Sequence, residues 1–315
     1  MKTLVAAVCL AFLFPPPARA LLSRPDAQPT AAQPAPVVPA LQQVAVIGAS
    51  ISAGIGLDRS SNPFAGEKSK LQLAQIVDAS ILGAHDAPWN GADFNFFSSP
   101  EAIAKRSAAD AKAEKPSALV ALDYCFWLAY GPGSDEKREA RLEVGLKSLE
   151  AFTCPVLVGD LPDFRGAGTN PLFLPKESIP PAETLARLNK RLYAWADARK
   201  NVIVVPQAEF LRKLIADEPI TVGATTYEPG SKPRLLQADN LHTTLEGTCA
   251  LWIAAVEAWR AHSPELPAAA FLIDAPALAV KAEELAQAAP TKKGKGKAPK
   301  SGKDPGKKQK IGAGS

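Results

Sequence analysis

The sequence predicts an α/β protein, a three-layer α/β/α sandwich with a mainly parallel sheet. Short apolar runs rich in Val and Ile alternate with longer segments in which apolar residues recur every three or four positions. The first pattern is typical of strands buried on both faces, and the second of helices with one apolar side. Repeated succession of strand, helix and strand favours parallel strands covered by helices.

Four strands are predicted from the apolar runs, at residues 43–47, 117–122, 155–158 and 202–205. Two of the segments between them have helical spacing. Their apolar residues are Leu142, Leu146, Leu149 and Phe152 in the first, and Leu185, Leu188, Leu192 and Trp195 in the second. A last helix is predicted from Thr244 to about Ala261, and Pro264 prevents its continuation.

The chain divides into five predicted parts, of which one is a folded domain. Residues 1–20 have the composition of a signal peptide, and residues 21–41 that of a Pro/Ala-rich linker. Residues 42–264 are long enough for one hydrophobic core and form the predicted domain. Residues 265–290 are Ala-rich and favour one more helix, whereas residues 291–315 form a Lys/Gly-rich tail with the composition of a disordered segment.

The N-terminus predicts export. Lys2 precedes an apolar run from Leu4 to Phe14, and Ala18 and Ala20 are small residues of the kind that precede a signal-peptidase site. The run is shorter than the roughly 20 apolar residues that span a bilayer, so we expect no transmembrane segment after signal removal. The protein is therefore expected in the periplasm or outside the cell.

The formal net charge of +4 comes from the tail and not from the predicted domain. Residues 291–310 contain nine lysines and one aspartate, a local charge of +8 that leaves the rest of the chain at −4. We therefore expect no specific nucleic-acid binding. Flexible lysines attract anionic surfaces in a salt-dependent way, so an anionic polymer of the cell envelope is a candidate partner of the tail. A simple solvated extension is the alternative.

Three cysteines follow the predicted signal peptide, at Cys125, Cys154 and Cys249. Their number is odd, and their spacing is not that of a metal site. Cys125 and Cys154 lie near predicted strand ends, so a disulfide between them and buried free thiols are both open. The sequence predicts no metal and no organic cofactor.

A serine follows the first predicted strand in the segment VAVIGASISAGIG. Ser50 thereby lies at the carboxyl edge of the predicted sheet, where open α/β folds bind their ligands. Gly48 permits a tight turn that exposes the hydroxyl. Ordinary strand-to-helix turns have the same composition, so this segment alone does not identify a nucleophile.

A second segment, LLQADNLHTTLEGTCALW, has Asp239 three residues before His242, just ahead of the last predicted helix. A histidine acts as a general base when a carboxylate fixes its tautomer and orientation. In the alternative interpretation, Asp239 or Thr243 caps the helix and His242 is a surface loop residue. Together with Ser50, the pair completes a Ser-His-Asp set.

The two segments resemble the SGNH/GDSL hydrolase family. The family's nucleophile block corresponds to GAS at residues 48–50, and its Asp-x-x-His block to DNLH at residues 239–242, with Gly247 following in a similar setting. The resemblance covers residues 43–262 and is specific only at its two ends. It implies a flavodoxin-like arrangement of the α/β sandwich and an ester-hydrolysing activity.

Carried over to this sequence, the resemblance implies a catalytic triad of Ser50, His242 and Asp239 acting through an acyl-enzyme. It also implies an oxyanion hole that contains the backbone N–H of Ser50 and that of a glycine from a second block. Gly83, in the segment IVDASILGAHD, is the candidate for this glycine.

The third oxyanion donor of the family, an asparagine after the third strand, is missing. Asp123 lies near that position, and an ionised carboxylate there would repel the developing oxyanion. Asn90 and Asn95 are alternative donors from a loop. Loss of one oxyanion donor costs about 10²–10³ in turnover, so a weakened enzyme is expected.

The resulting functional prediction is an exported serine esterase. An acetylated carbohydrate is the first expected substrate, and a short-chain lipid ester the second. The alternative is a binding protein on the same fold whose incomplete oxyanion site makes it catalytically weak or inactive. A short-chain dehydrogenase fits less well because the glycine spacing after Gly48 differs, and an α/β-hydrolase elbow is excluded because Ser52 stands at its second glycine.

Overall fold

The computed structural model describes residues 37–58 and 69–288. The predicted signal peptide, most of the predicted linker and the predicted Lys-rich tail lie outside the described residues. The packed domain begins slightly before residue 42, because Leu41 ends a short 3₁₀ turn and is buried in the core.

Five parallel strands form the central sheet: β1 Val44–Val46, β2 Trp89–Asn90, β3 Ala118–Ala121, β4 Val156–Gly159 and β5 Val202–Val205. Their order across the sheet is β2-β1-β3-β4-β5. Ala45 of β1 lies opposite Trp89 on one side and Leu119 on the other. Four of the strands match the predicted runs; β2 is only two residues long and has no sequence pattern of its own.

Nine helices lie in the described part of the chain. They are α1 Leu73–Ser80, α2 Pro100–Ala113, α3 Phe126–Ala129, α4 Asp135–Leu149, α5 Ala182–Asp197, α6 Gln207–Ile215, α7 Lys232–Leu235, α8 Leu245–His262 and α9 Ala275–Ala288. One layer contains α1, α8 and α9, and the other contains α2, α4 and α5. The predicted α/β sandwich with a mainly parallel sheet is therefore confirmed.

Two further features complete the secondary structure. A short antiparallel pair, β6 Ile220–Val222 and β7 Thr225–Tyr227, follows α6. Among the helices of the described residues, none combines the length and apolar character that crossing a membrane requires.

Local sequence determines where α4 and α8 begin. The Ser134 side chain accepts a hydrogen bond from the Lys137 N–H, and the Thr244 side chain accepts one from the Gly247 N–H at 3.0 Å. Each bond satisfies an N–H that has no partner within the helix. Gly247 also lies so close to the preceding segment that a Cβ there would be 2.0 Å from the Leu235 carbonyl oxygen.

The strand order reverses between β1 and β3. From β1 the chain passes to β2 on one side of the sheet and then crosses to β3 on the other side. The connections diverge at the carboxyl ends of these two strands, which opens a crevice of the kind that binds ligands in α/β folds. Ser50 follows β1 and Asp123 follows β3, so both residues lie at this crevice.

The packed domain does not end at residue 264. Phe271 forms an isolated bridge with Ile81 and packs against the Trp259 ring at 6.4 Å between centroids. In α9, which contacts both α1 and α8, Leu278 is fully buried. The helix predicted within residues 265–290 is present, but it belongs to the domain because its buried side chains complete the layer formed by α1 and α8.

Two leucines of α9 test this boundary. Leu278→Ala is expected to lower the free energy of unfolding by about 2–5 kcal/mol, because it removes a fully buried side chain and leaves a cavity. Leu285, 38% exposed on the same helix, is the matched control, and Leu285→Ala is expected to cost less than about 1 kcal/mol. Urea unfolding of the full chain, followed by tryptophan fluorescence, measures both. Equal and small effects would contradict the packing of α9 into the core.

Candidate active site

The turn after β1 presents Ser50 at the crevice. Its backbone is closed by hydrogen bonds from the Ala53 N–H to the Ala49 carbonyl (2.8 Å) and from the Ile55 N–H to the Ser50 carbonyl (3.0 Å). Gly48 is required before the turn, because a Cβ there would lie 2.1 Å from a carboxylate oxygen of Asp123. The Ser50 side chain is consequently held at the surface of the crevice and is only partly buried.

The carboxylate of Asp123 anchors this turn. One oxygen accepts the Ala49 N–H at 3.0 Å and the Ser52 hydroxyl at 2.5 Å. The other oxygen accepts the Ile51 N–H at 2.8 Å and the Ser52 N–H at 3.2 Å. The turn therefore receives its position from a side chain that follows β3, the neighbouring strand.

The role of Asp123 differs from that of the asparagine it replaces in the predicted oxyanion hole. Both of its oxygens accept hydrogen bonds from the turn, which is a different role from donating to an oxyanion. Burial raises the pKa of the Asp123 carboxyl, and the hydrogen bonds from Ser52, Ala49 and Ile51 oppose that shift. The sequence analysis predicted that Asp123 lies near Ser50, but it did not predict that Asp123 holds the serine turn in place.

Ser50, His242 and Asp239 lie in one hydrogen-bonded series. The Ser50 Oγ is 3.0 Å from His242 Nε2, and His242 Nδ1 is 2.7 Å from an oxygen of Asp239. The other Asp239 oxygen accepts the backbone N–H groups of Leu241 and His242, both at 3.0 Å. The structure thus brings together the three residues that the two sequence segments suggested.

The charge of Asp239 determines the hydrogen positions in this series. Burial alone would raise the pKa of Asp239, but the hydrogen bonds from the His242 side chain and from the His242 and Leu241 backbone outweigh it and lower the pKa. The ionised carboxylate only accepts, so the hydrogen lies on Nδ1 of His242. In the neutral ring, Nε2 then carries a free lone pair directed at the Ser50 hydroxyl.

Two residues that the sequence analysis did not single out position the histidine. The Gln237 side chain donates to the Ile55 carbonyl in the serine turn and to the Thr243 carbonyl beside the histidine, each at 2.7 Å. Phe173 packs edge-on against the imidazole, with 5.6 Å between ring centroids. Neither residue belongs to a recognisable motif, since each acts through tertiary contacts with distant segments.

The Ser50 N–H is the one predicted oxyanion donor that the structure leaves available. It has no hydrogen-bond acceptor among the described residues. Gly83, predicted as a second donor, lies in the loop between α1 and β2, whose neighbouring residues Ala84 and Asp86 bond to Gln42 ahead of β1. That loop is at the amino edge of the sheet, opposite to Ser50, so the assignment of Gly83 to the oxyanion hole is corrected.

Other potential oxyanion donors near the carboxyl end of β2 either form hydrogen bonds already or do not line the cavities beside Ser50. The Gly91 N–H donates to the Val46 carbonyl at 2.8 Å. The Asn90 amide bonds to the Gln72 side chain and accepts the Ala92 N–H. Asn95 is exposed and does not line the cavities that border Ser50. Neither asparagine therefore supplies the missing donor in this conformation.

A cleft of about 450 Å³ opens beside Ser50 and His242. Its volume lies in the range of small-molecule sites. Five aromatic side chains line it: Phe94, Phe97, Trp127, Tyr130 and Phe173. A second, much smaller cavity of about 30 Å³ also borders Ser50 and His242, where it includes Asp123 and Asp160. The larger cleft can accommodate an apolar substrate group, and the smaller cavity only a group about the size of a water molecule.

Neither a disulfide nor a metal cluster occurs among the described residues. Cys125, Cys154 and Cys249 are free thiols, and burial raises the pKa of each. Within residues 37–58 and 69–288, His, Cys, Asp and Glu side chains form no group of three or more that could hold a metal ion.

Comparisons with known proteins give only distant structural likenesses. No protein-family model matches the chain, and no curated protein matches it in sequence. A crystal structure of TesA is similar with 19% identity and a TM-score of 0.38, over 70% of this chain and 99% of that one. BT4096, a gut microbial diltiazem-metabolizing enzyme, has 12% identity and a TM-score of 0.40 over 68% of this chain. This chain spans 46% of the length of BT4096. The fold assignment rests on the strand order and register.

Asp123→Asn tests the anchoring of the serine turn. The amide keeps one accepting oxygen but turns an NH₂ group toward backbone N–H donors, so we expect the free energy of unfolding to fall by about 1–3 kcal/mol. Asp163→Asn is the matched control, because Asp163 is exposed and pairs only with the neighbouring Arg165; its expected cost is below about 1 kcal/mol. Urea unfolding compares the two variants, and equal costs would rule out the anchoring role.

Proposed function

We propose that this protein is an exported serine esterase of the SGNH/GDSL type, which hydrolyses a carboxylic ester. The observation that carries the proposal is the series from Asp239 through His242 to the Ser50 hydroxyl, with contacts of 2.7 and 3.0 Å. A position at the reversal of strand order and an adjoining cleft of about 450 Å³ support it. The signal-like sequence of residues 1–20 supports export.

In the acylation half of the proposed reaction, Ser50 Oγ attacks the ester carbonyl carbon while His242 Nε2 accepts the hydroxyl proton. The tetrahedral intermediate then collapses, the bond to the alcohol oxygen breaks, and His242 returns the proton to the leaving alcohol. Asp239 stabilises the imidazolium that exists between these two proton transfers. The product at this stage is an ester between the acyl group and Ser50.

In the second half, a water molecule gives a proton to His242 Nε2 and attacks the acyl-enzyme carbonyl. Collapse of the new tetrahedral intermediate breaks the bond to Ser50 Oγ, which takes the proton back and releases the carboxylic acid. The Ser50 N–H would face the oxyanion in both halves. With this one donor, in place of the usual set, turnover slower than that of an esterase with a complete oxyanion hole is expected.

Replacement of the nucleophile tests the function directly. We expect Ser50→Ala to lower kcat/KM for p-nitrophenyl acetate at least about 100-fold, because the variant lacks the nucleophile of the proposed mechanism. Ser231→Ala is the matched control, since that hydroxyl bonds to the Glu228 carbonyl and Ser231 lines neither cavity beside Ser50. Initial rates of the full-length proteins, purified alike, measure the effect. Equal rates in the wild-type protein and Ser50→Ala would reject Ser50 as the nucleophile.

Labelling with a small organophosphonate separates the esterase from the alternative function. An activated Ser50 forms a covalent adduct that mass spectrometry locates, and His242→Ala is expected to slow the adduct because the base is missing. A wild-type protein that neither hydrolyses the ester nor reacts with the probe would contradict the proposal and favour the binding-protein alternative. Acetylated carbohydrates and short-chain lipid esters are the first natural substrates to compare.

We also propose that the Lys-rich tail attaches the protein to an anionic polymer of the cell envelope. The nine lysines within residues 291–310 support this, since they give that segment a local charge of +8. A variant with all nine lysines replaced by Gln keeps the length of the chain and removes the charge. It is expected to lose retention on a polyanionic resin at low salt; unchanged retention would contradict the role of the tail.

A further inference from the structure

The cleft beside Ser50 contains one permanently charged side chain, Arg141 of α4. Among the residues that line the cleft, all of them in the described part of the chain, no Asp or Glu accompanies it. Most of the remaining lining is aromatic or aliphatic. Removing a cation such as Arg141 from water costs free energy unless an anion pairs with it. The identity of that anion therefore bears on which substrates the cleft binds.

Arg141 has no carboxylate partner among the described residues. It forms no ion pair with any Asp or Glu of the described residues, whereas the exposed Arg191 pairs with Glu143 and Arg212 pairs with Glu209. Burial and the charge of Arg138 lower the pKa of the Arg141 guanidinium, and Glu101 counters this only at a distance. Arg141 thus lacks an ion-pair partner in the described part of the chain, although Glu101 and three carbonyl oxygens interact with its charge.

The guanidinium is fixed in position but not saturated. Nε donates to the Leu128 carbonyl at 3.2 Å, Nη1 to the Pro132 carbonyl at 3.1 Å, and Nη2 to the Tyr130 carbonyl at 3.1 Å. A guanidinium has five N–H groups, so one on each terminal nitrogen remains without an acceptor in the described structure. Arginine uses two N–H groups when it binds a carboxylate in the bidentate mode.

A glycine leaves these terminal nitrogens uncovered. Gly131 also lines the cleft, and a Cβ at this position would lie 3.9 Å from Nη1 and 4.0 Å from Nη2 of Arg141. Glycine thus places no side-chain atom against the two terminal nitrogens, where a Cβ would be in van der Waals contact with both. Its backbone φ of +96° is in the left-handed region that favours glycine.

We propose that Arg141 binds a carboxylate of the substrate, so that the preferred substrates are esters with an apolar or aromatic body and a free carboxylate remote from the ester bond. The aromatic side chains of the cleft contact the body, and the carboxylate pairs with the guanidinium. This inference rests on the proposed esterase function, and it narrows the substrate class of the same site. A neutral ester of the same shape binds the cleft but leaves Arg141 unpaired.

The test uses acetyl esters of hydroxyphenylalkanoic acids of increasing chain length, each compared with its neutral carboxamide. We expect the best carboxylate of the series to exceed its carboxamide about tenfold or more in kcat/KM, as a charge-assisted contact of about 1.4 kcal/mol would give. This preference should decrease as salt is raised. A ratio near one for every chain length in the wild-type protein overturns the inference and leaves the esterase function intact.

Substitution then assigns the preference to Arg141. Arg141→Gln is expected to lower kcat/KM for the carboxylate about tenfold more than for the carboxamide, so that the ratio falls to near one. Arg141→Lys keeps the charge without the two-pronged geometry and should retain part of the ratio. Arg212→Gln, on the exposed face of α6, is the control and should leave the ratio unchanged. A ratio that persists in Arg141→Gln overturns the assignment to this residue.

Binding separates failure of this inference from failure of the esterase proposal. In Ser50→Ala, calorimetry with the free hydroxyphenylalkanoic acids and their carboxamides needs no turnover. We expect the carboxylate to bind about tenfold more tightly than the carboxamide, and Arg141→Gln in the same background to remove the difference. Preferential binding of the carboxylate, together with no ester hydrolysis by the wild-type protein, would reject the esterase function alone. Equal affinities would reject the role of Arg141.

Discussion

The site depends on the carboxylate of Asp123. Its two oxygens gather three backbone N–H groups and one hydroxyl from the turn that carries Ser50. A carboxylate without such donors would be strongly disfavoured inside a protein, so the turn and the acid stabilise each other. Because Asp123 follows β3 and the turn follows β1, the position of the serine is fixed by the pairing of these two strands.

A second link connects the serine turn to the histidine loop. Gln237 bonds to Ile55 on one side and Thr243 on the other, and Asp239 holds the backbone and the ring of His242. The bonds from Asp123 and from Gln237 act on the backbone of the two segments and do not involve the side chains of Ser50 or His242. Ser50 and His242 are instead brought within 3.0 Å by contacts made elsewhere, which is the preorganisation that a nucleophile and its base require.

The parts of the site that the sequence predicted are those with local signatures. Ser50 follows a recognisable strand, and Asp239 and His242 are three residues apart before a helix, so each could be placed without knowledge of the fold. Gly83 was misplaced because a helix after β1 returns the chain to the amino edge before the next parallel strand begins. The boundary at residue 264 failed for a related reason: a proline ends a helix, but it does not indicate whether later residues pack.

Contacts in the cleft could make up for the missing oxyanion donors of the proposed esterase. In the proposed esterase, transition-state stabilisation that the oxyanion site does not supply must come from elsewhere. Binding energy from remote parts of a substrate can serve this purpose if it orients the ester against Ser50. An aromatic cleft with one guanidinium that forms no ion pair among the described residues would offer two such contacts, an apolar one and an ionic one. Two separated contacts restrict rotation as well as position, so they align the carbonyl with Ser50 better than either alone. An enzyme built in this way would depend on the remote groups of its substrate more than one with a complete oxyanion hole would.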